Sequence, residues 1–348
     1  MTCSDFSRQP KNRRGGPSPE QISVPPVSET DLDQGEGLFD PSRTPFWELL
    51  ERARRHRQER FGARVHLCAI VNAKSGSCPE DCAFCAQSAR HGSAVPVYPL
   101  IGLDAALEAA RQADSQGVRC FSLVTSGRGL AGREERRQLL RMVERIRSTT
   151  RLEPAVSLGV LDVNFLFDLK SAGLETLHHN LETAPSFYGN ICSTHPFEQR
   201  FQTILNARSA GLKICSGGIF GLGESFRHRA EMALVLRAVG VDRVPVNFLN
   251  AIPGTPLERM QRLNPLEALQ AVAALRLLLP DQEILVCGGR GVVLRSLQPL
   301  VFAAGANGIM TGNYLTTPGQ AVEQDLMMLE DWGLRLEERP QRKTPDEG

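Results

Sequence analysis

Leu67-Cys-Ala-Ile-Val-Asn72-Ala-Lys-Ser-Gly-Ser-Cys78-Pro-Glu-Asp-Cys82-Ala-Phe-Cys85 carries the two signals on which the reading of this chain turns. Residues 67–72 form a short apolar run without polar alternation, the pattern of a strand buried on both faces. Similar runs recur at 118–125, 154–158, 174–180, 212–217, 243–248, 283–286 and 308–310. Segments of helical period lie between them, at 103–116, 133–147, 196–210, 224–239 and 265–279. Another precedes them at 46–60, with Phe46, Leu49, Leu50 and Ala53 on one side. Buried strands alternating with helices predict an α/β fold with a parallel sheet covered by helices. Eight such units over roughly 270 residues fit a (β/α)8 TIM-type barrel, whose usual length is about 250 residues. A doubly wound open sheet is the alternative, but residues 218–223 read Gly-Ile-Phe-Gly-Leu-Gly and lack the Gly-x-Gly-x-x-Gly spacing. In such barrels chemistry sits at the C-terminal ends of the strands, which is where the cysteine loop begins.

Composition narrows the field. Lys+Arg 40 against Asp+Glu 39 gives a net charge of +1, and aromatics are 6%, so a phosphate backbone has no basic surface to meet and nucleic acid is not an expected partner. No apolar run reaches the ~18 residues a membrane span needs, and the N-terminus lacks a secretory pattern. A cytoplasmic location is the expectation. Nine cysteines, an odd number, argue against a disulfide framework there and for metal or redox chemistry. Residues 1–44 hold Pro10, Pro17, Pro19, Pro25, Pro26 and Pro41, basic Lys11, Arg13 and Arg14, and acidic Glu29, Asp31, Asp33 and Glu36. This composition predicts a disordered extension, and acidic Asp5 and Glu20 argue against a transit peptide. Residues 336–348 read the same way, leaving 45–335 as one barrel domain.

The second signal is the cysteine spacing. Cys78, Cys82 and Cys85 at x3 and x2 intervals can wrap one face of a small iron–sulfur cluster. A structural zinc site needs four ligands, and no fourth Cys or His follows locally. For a four-iron cluster the missing ligand leaves one iron open to a small molecule.

Cys-x3-Cys-x2-Cys with Phe84 before the third cysteine, on the loop after the first strand, resembles the radical S-adenosylmethionine superfamily. The resemblance implies a [4Fe–4S] cluster on Cys78, Cys82 and Cys85 whose open iron binds S-adenosylmethionine. Reduction would cleave that cofactor to a 5′-deoxyadenosyl radical, chemistry the cofactor supplies. Further segments resemble the biotin synthase family over nearly the whole barrel: Ala86-Gln-Ser88, His178-His-Asn-Leu-Glu182-Thr, Phe187-Tyr-Gly-Asn-Ile191, Cys215-Ser-Gly-Gly-Ile-Phe-Gly-Leu-Gly-Glu224, Val244-Pro-Val-Asn247, Gly254-Thr-Pro-Leu257, Gly289-Arg290 and Ala304-Gly-Ala-Asn307. That family closes the thiophane ring of biotin on dethiobiotin by radical sulfur insertion, the last step of biotin biosynthesis. The implied partners are dethiobiotin and an electron donor such as flavodoxin or ferredoxin, and the implied assembly is a homodimer.

Strand period places His178, Asn180 and Glu182 on one face at a strand end. Polar residues there otherwise serve as a loop-capping network. By similarity Phe84 packs on the adenine, Glu182 takes the ribose, where the family usually has Asp, and Arg200 pairs with the methionyl carboxylate. Gly218 and Gly221 would let backbone approach the cofactor. Asn180 and Asn247 would hydrogen-bond the ureido ring, since an amide offers both donor and acceptor, with His178 beside them. A metal site on His178, His179 and His195 is disfavoured because neighbouring strand residues point to opposite faces.

One departure stands out. The family holds a second, auxiliary [2Fe–2S] cluster on three cysteines and an arginine, thought to donate the sulfur. Cys215 and Arg290 fill two of those positions, but Ser122 and Ala155 stand at the others. The expectation is a variant auxiliary cluster on Cys215 and Arg290 with some of Cys68, Cys192 and Cys287. Cys120 shares a strand face with Ser122. The alternative is a related radical enzyme without sulfur insertion, of the hydrogenase maturase or methylornithine synthase type. A third reading is a non-catalytic iron–sulfur or zinc protein.

Overall fold

The computed structural model of the 348-residue chain describes residues 24–130 and 132–338. The expected extensions at 1–23 and 339–348, and Cys3 with them, lie outside the described residues.

Strands β1 (Arg64–Lys74), β2 (Cys120–Thr125), β3 (Glu153–Ser157), β4 (Thr176–His178) and β5 (Lys213–Cys215) pair in parallel, each with the next. The fifth stave is split, and β6 (Gly218–Phe220) resumes it against β7 (Arg243–Phe248). β8 (Glu283–Val286) and β9 (Gly308–Met310) follow, and β9 pairs back onto β1, closing an eight-stave barrel. The split has a steric cause. A Cβ on Gly217 would lie 2.1 Å from the Pro245 carbonyl oxygen, so the chain crosses β7 closer than any side chain permits.

The helices, beginning with α1 (Glu29–Phe39), α2 (Phe46–Phe61) and α3 (Leu103–Ser115), sit outside the barrel, and most bury one stripe. Thus α4 (Arg133–Thr149) buries Leu139, Met142, Val143 and Ile146 at i, i+3, i+4 and i+7. α5 (Val163–Ser171), which the sequence reading did not single out, is only nine residues long and is capped by Asp162, whose carboxylate accepts the Phe165 N–H at 2.9 Å. α6 (Phe197–Ser209), α7 (Phe226–Val239) and α8 (Pro265–Leu278) complete the wall on that side.

Both expected extensions need correction where they are described. Residues 29–39 are not disordered but form a helix, Glu29–Phe39, capped by Ser28 and packed on α7. Leu32, Gly35 and Phe39 face inward, Gly35 sits against the Ala230 Cβ, and Phe39 stacks on Phe220 with centroids 6.3 Å apart. The prolines dominate the composition of this region but precede or follow the helix, so the average hid a short amphipathic stripe. At the other end Arg335–Leu336 pairs with β1, and the Glu337 carboxylate bonds Arg119 at 2.5 Å. Residues 335–337 therefore close the barrel floor.

That floor is polar. Arg243, almost fully buried, donates to both Glu153 oxygens at 2.6 and 3.0 Å and to Glu283 at 2.7 Å. Burial alone would raise the Glu153 carboxyl, but the hydrogen bonds and charge of Arg243 hold it well below its ordinary range.

Candidate active site

The cysteine loop leaves β1 through a register shift at Asn72–Lys74 and two left-handed residues, Gly76 (φ +72°) and Ser77 (φ +50°). A non-glycine residue in that region costs about 1–3 kcal/mol, so the surroundings must hold it. Gln87 does much of this. Its side-chain oxygen accepts the Gly76 N–H at 3.1 Å, and its carbonyl accepts the Cys78 N–H at 3.0 Å. Ser126 donates to the Gly76 carbonyl at 2.7 Å, and Ala83 N–H donates to the Ile191 carbonyl at 2.8 Å. The three thiols are free. Burial first, then the neighbouring Cys78, pushes Cys85 up to about 11.

A cavity of about 310 Å³ opens beneath this loop at the C-terminal ends of the strands. Phe84, His178, Asn180, Glu182, Arg200 and Asn247 all line it, so the residues singled out in the sequence as adenosyl and ureido contacts converge on one space. Arg200, from α6, binds the strand end in two directions. Its Nε donates to the Asn180 carbonyl at 2.7 Å and its Nη2 to Glu182 at 2.8 Å. Glu182 itself sits at φ +70°, a strained position at the rim of the cavity. Burial pushes its carboxyl above the ordinary range, and the Arg200 charge pulls it back. Asn247 accepts the Gly288 N–H at 2.9 Å and donates to the Gly218 carbonyl at 3.3 Å, while Asn180 accepts the Gly217 N–H at 3.3 Å. The split stave thus holds both amides. Gly218 and Gly221 do not line the cavity; Ile219 between them does. A Cβ on Gly218 would meet the Glu182 carbonyl and the Met232 sulfur, both at 2.5 Å, so its smallness serves the protein's own packing.

Deeper in the barrel a second group of thiols collects. Cys68 and Cys120 are register partners on β1 and β2, and they share one buried cluster with Ala155, Leu285 and Cys287. Burial, and then the neighbouring Cys215, raises Cys287, while burial, and then Cys120, raises Cys215. Cys120 is pushed up to about 12, first by its hydrogen bond with Cys68 and then by burial, and its sulfur is 3.8 Å from His178 Nε2. Arg290 is fully buried nearby. Asp325 grips its Nη2 at 2.7 and 2.9 Å; among the described residues Nε and Nη1 have no hydrogen-bond partner, and Ser122 Oγ has none either. Such orphaned buried donors are rare in a finished core.

Cys192 is the correction here. It was expected with the deeper group, but a short turn at Tyr188–Asn190 after β4 delivers it to the cysteine loop, 3.8 Å from Cys82 Sγ and 3.3 Å from the Asp81 carboxylate. Cys120 joins the deeper group instead. Its strand position showed the face it occupies, but nothing in the sequence showed that β1 and β2 set it level with Cys68.

The barrel, the three-thiol loop and the cavity between loop and strand ends define the class of radical S-adenosylmethionine barrels. The Radical SAM superfamily model matches residues 73–236, and the Biotin and Thiamin Synthesis associated domain matches residues 245–335. Among solved structures, methylornithine synthase superposes with a TM-score of 0.77 at 20% identity, covering 92% of this chain and 96% of that one. The FeFe-hydrogenase maturase HydG from Carboxydothermus hydrogenoformans gives 0.74 at 18%, covering 88% and 77%. These two show the fold alone. Sequence relatives are more specific. The chain is 50% identical over 309 residues to the biotin synthase of Geobacter sulfurreducens, covering 89% of this chain and 94% of that one. It is 51% identical over 315 residues to the biotin synthase of Geotalea uraniireducens, covering 90% and 93%. The chain belongs to the biotin synthase family.

Proposed function

We propose that this chain converts dethiobiotin to biotin by radical sulfur insertion. The observation that carries the reading is the stacking of three sites along one barrel axis. The Cys78, Cys82 and Cys85 loop forms the roof, the cavity with Asn180 and Asn247 lies below it, and Cys68, Cys215 and Cys287 stand in that cavity's own lining. Cys78, Cys82 and Cys85 would hold a [4Fe–4S] cluster, with Phe84, Glu182 and Arg200 around S-adenosylmethionine. Bound together, that pair supplies a carbon-centred radical able to remove hydrogen from an unactivated carbon.

The side chains place and shield. Arg200 presents a planar guanidinium already fixed by two acceptors, suited to a carboxylate. Asn180 and Asn247 each offer a donor and an acceptor, the pattern a cyclic urea requires. Ile70, Val124 and Leu285 line the same cavity and keep it poor in water. For the auxiliary cluster the donor set that fits is Cys68, Cys120, Cys215 and Cys287, with the unpartnered Nη1 of Arg290 beside them. Four thiolates in an apolar chamber suit an iron–sulfur cluster. They also make the loss of cysteine at 122 and 155 intelligible, because Cys120 and Cys68 stand one layer below. Reduction by a flavodoxin or ferredoxin, pairing as a homodimer and a cytoplasmic location belong to the same reading. Among the described residues no helix is long and apolar enough to cross a membrane.

Anaerobic incubation of the reconstituted chain with S-adenosylmethionine, a low-potential reductant and dethiobiotin tests this. Biotin is the expected product. Accumulation of 5′-deoxyadenosine with no biotin would overturn sulfur insertion.

A further inference from the structure

Cys192 and His195 have no part in that scheme, yet they stand beside a thiol that does. Beyond β4 the segment Ile191-Cys192-Ser-Thr-His195 folds back over the cysteine loop. Cys192 Sγ lies 3.8 Å from Cys82 Sγ and 3.3 Å from His195 Nδ1, and the three donor atoms fall within 4.8 Å of one another. Two thiolates on one tetrahedral ion, each at about 2.3 Å, stand about 3.8 Å apart. A four-iron cluster places each thiolate on its own iron, whereas the 3.8 Å contact between these two thiols matches the separation one shared ion requires.

The surroundings are built to hold these donors. Tyr188 hydroxyl and His195 Nε2 are 2.7 Å apart, which turns the ring so that Nδ1 faces the sulfurs, the usual orienting contact behind a metal-bound imidazole. Asp81 accepts the Ser193 and Thr194 N–H groups at 3.0 and 3.2 Å and pins the segment to the loop. Glu80 Oε2, 2.6 Å from His195 Nδ1, borders the remaining corner. Two sulfurs, one imidazole and a carboxylate are a donor set for zinc or ferrous iron.

We infer that the cluster-free chain binds one soft divalent cation, of the zinc or ferrous class, through Cys82, Cys192 and His195, with a Glu80 oxygen at the fourth position. Each thiol gives its proton to solvent as its metal–sulfur bond forms, and no electrons move. Cys82 cannot serve this ion and a [4Fe–4S] cluster together, so the two states exclude each other. The exclusion rests on the cluster reading of Cys78, Cys82 and Cys85; the ion site does not.

The test is cobalt titration of the full-length chain, stripped of metal and kept anaerobic. One equivalent giving sulfur-to-cobalt charge transfer and tetrahedral d–d bands is expected. Cys192→Ser and His195→Gln should each lose it, Tyr188→Phe should weaken it about tenfold, and Cys78→Ser and Cys68→Ser should keep it. Full binding by Cys192→Ser overturns the site. Loss in Cys68→Ser, which would place the ion with Cys120 and His178 on the barrel floor, overturns it as well, as does equal loss in Cys78→Ser. In a second arm, one equivalent of zinc added before iron and sulfide should slow cluster formation in the parent chain and not in Cys192→Ser. Equal slowing in both, with the cobalt result intact, overturns the exclusion and leaves the ion site standing.

Discussion

Glu153 and Arg243 show how much a single pair can carry. Both are nearly inaccessible, and Arg243 bonds both oxygens of Glu153. Glu153→Gln leaves Arg243 with the Glu283 carboxylate and the Thr176 hydroxyl and should cost about 3–5 kcal/mol in denaturant unfolding, the usual penalty for breaking a buried pair. The pH dependence follows from the sign of the shift. The folded-state carboxyl is depressed, so its stabilisation is complete above the unfolded value of 4.5 and is lost as pH falls toward the folded one. The parent chain should therefore lose stability below about pH 4.5 more steeply than Glu153→Gln. Equal acid slopes would show that the pair is not coupled to folding. In the cavity, Arg200→Lys keeps the charge but cannot bond the Asn180 carbonyl and Glu182 in the same plane. Isothermal titration should show S-adenosylmethionine binding weakened by about tenfold, the scale of one lost charge-assisted bond. Much of this scale was legible in advance. Cys78, Cys82 and Cys85 announced themselves by spacing and Arg200 by family resemblance, whereas Asp325 as the partner of Arg290 did not, because a lone carboxylate 35 residues away in the chain carries no local signal.

At the scale of elements, the split fifth stave is the part most directly coupled to the site. Gly217 N–H and the Gly218 carbonyl hold Asn180 and Asn247, and neither glycine has room for a Cβ. Gly217→Ala should push β5 away from β7 and impair dethiobiotin binding more than S-adenosylmethionine binding, as measured by separate titrations; equal losses would show a general collapse instead. Strands β7, β8 and β9 fall at the residues their apolar runs mark, because nothing but the barrel interior competes for them. β4 is shorter than its run, since the Asn180 carbonyl is taken by Arg200 and pairing resumes only at a single bridge between Glu182 and Gly218. The helix Glu29–Phe39 was illegible for a different reason: its inward stripe contains Gly35, whose lack of a side chain is what lets it approach Ala230. Gly35→Leu should overpack that contact at a cost of about 1–3 kcal/mol. Faster amide exchange confined to residues 29–39 and the facing side of α7 would register it.

For the whole molecule, the closed barrel sets the order of events. Its roof carries Cys78, Cys82 and Cys85, its cavity carries the paired asparagines, and its lower chamber carries Cys68, Cys120 and Cys287, which we propose stand in for ligands absent at Ser122 and Ala155. The sequence raised a variant ligand set with Cys68, Cys192 and Cys287, but which cysteines share a layer could not be read from spacing, because it depends on which residues neighbouring staves bring level, as they do Cys68 and Cys120. The central claim is that the lower chamber supplies the sulfur of the product. Reconstitution of the chain with iron and sulfur-34 sulfide, followed by one turnover with unlabelled additives, tests it by mass spectrometry of the biotin formed. The account predicts sulfur-34 in the product of the parent chain and no biotin from Cys215→Ala, which keeps its roof cluster. Unlabelled biotin, or labelled biotin from Cys215→Ala at the parent yield, would contradict it.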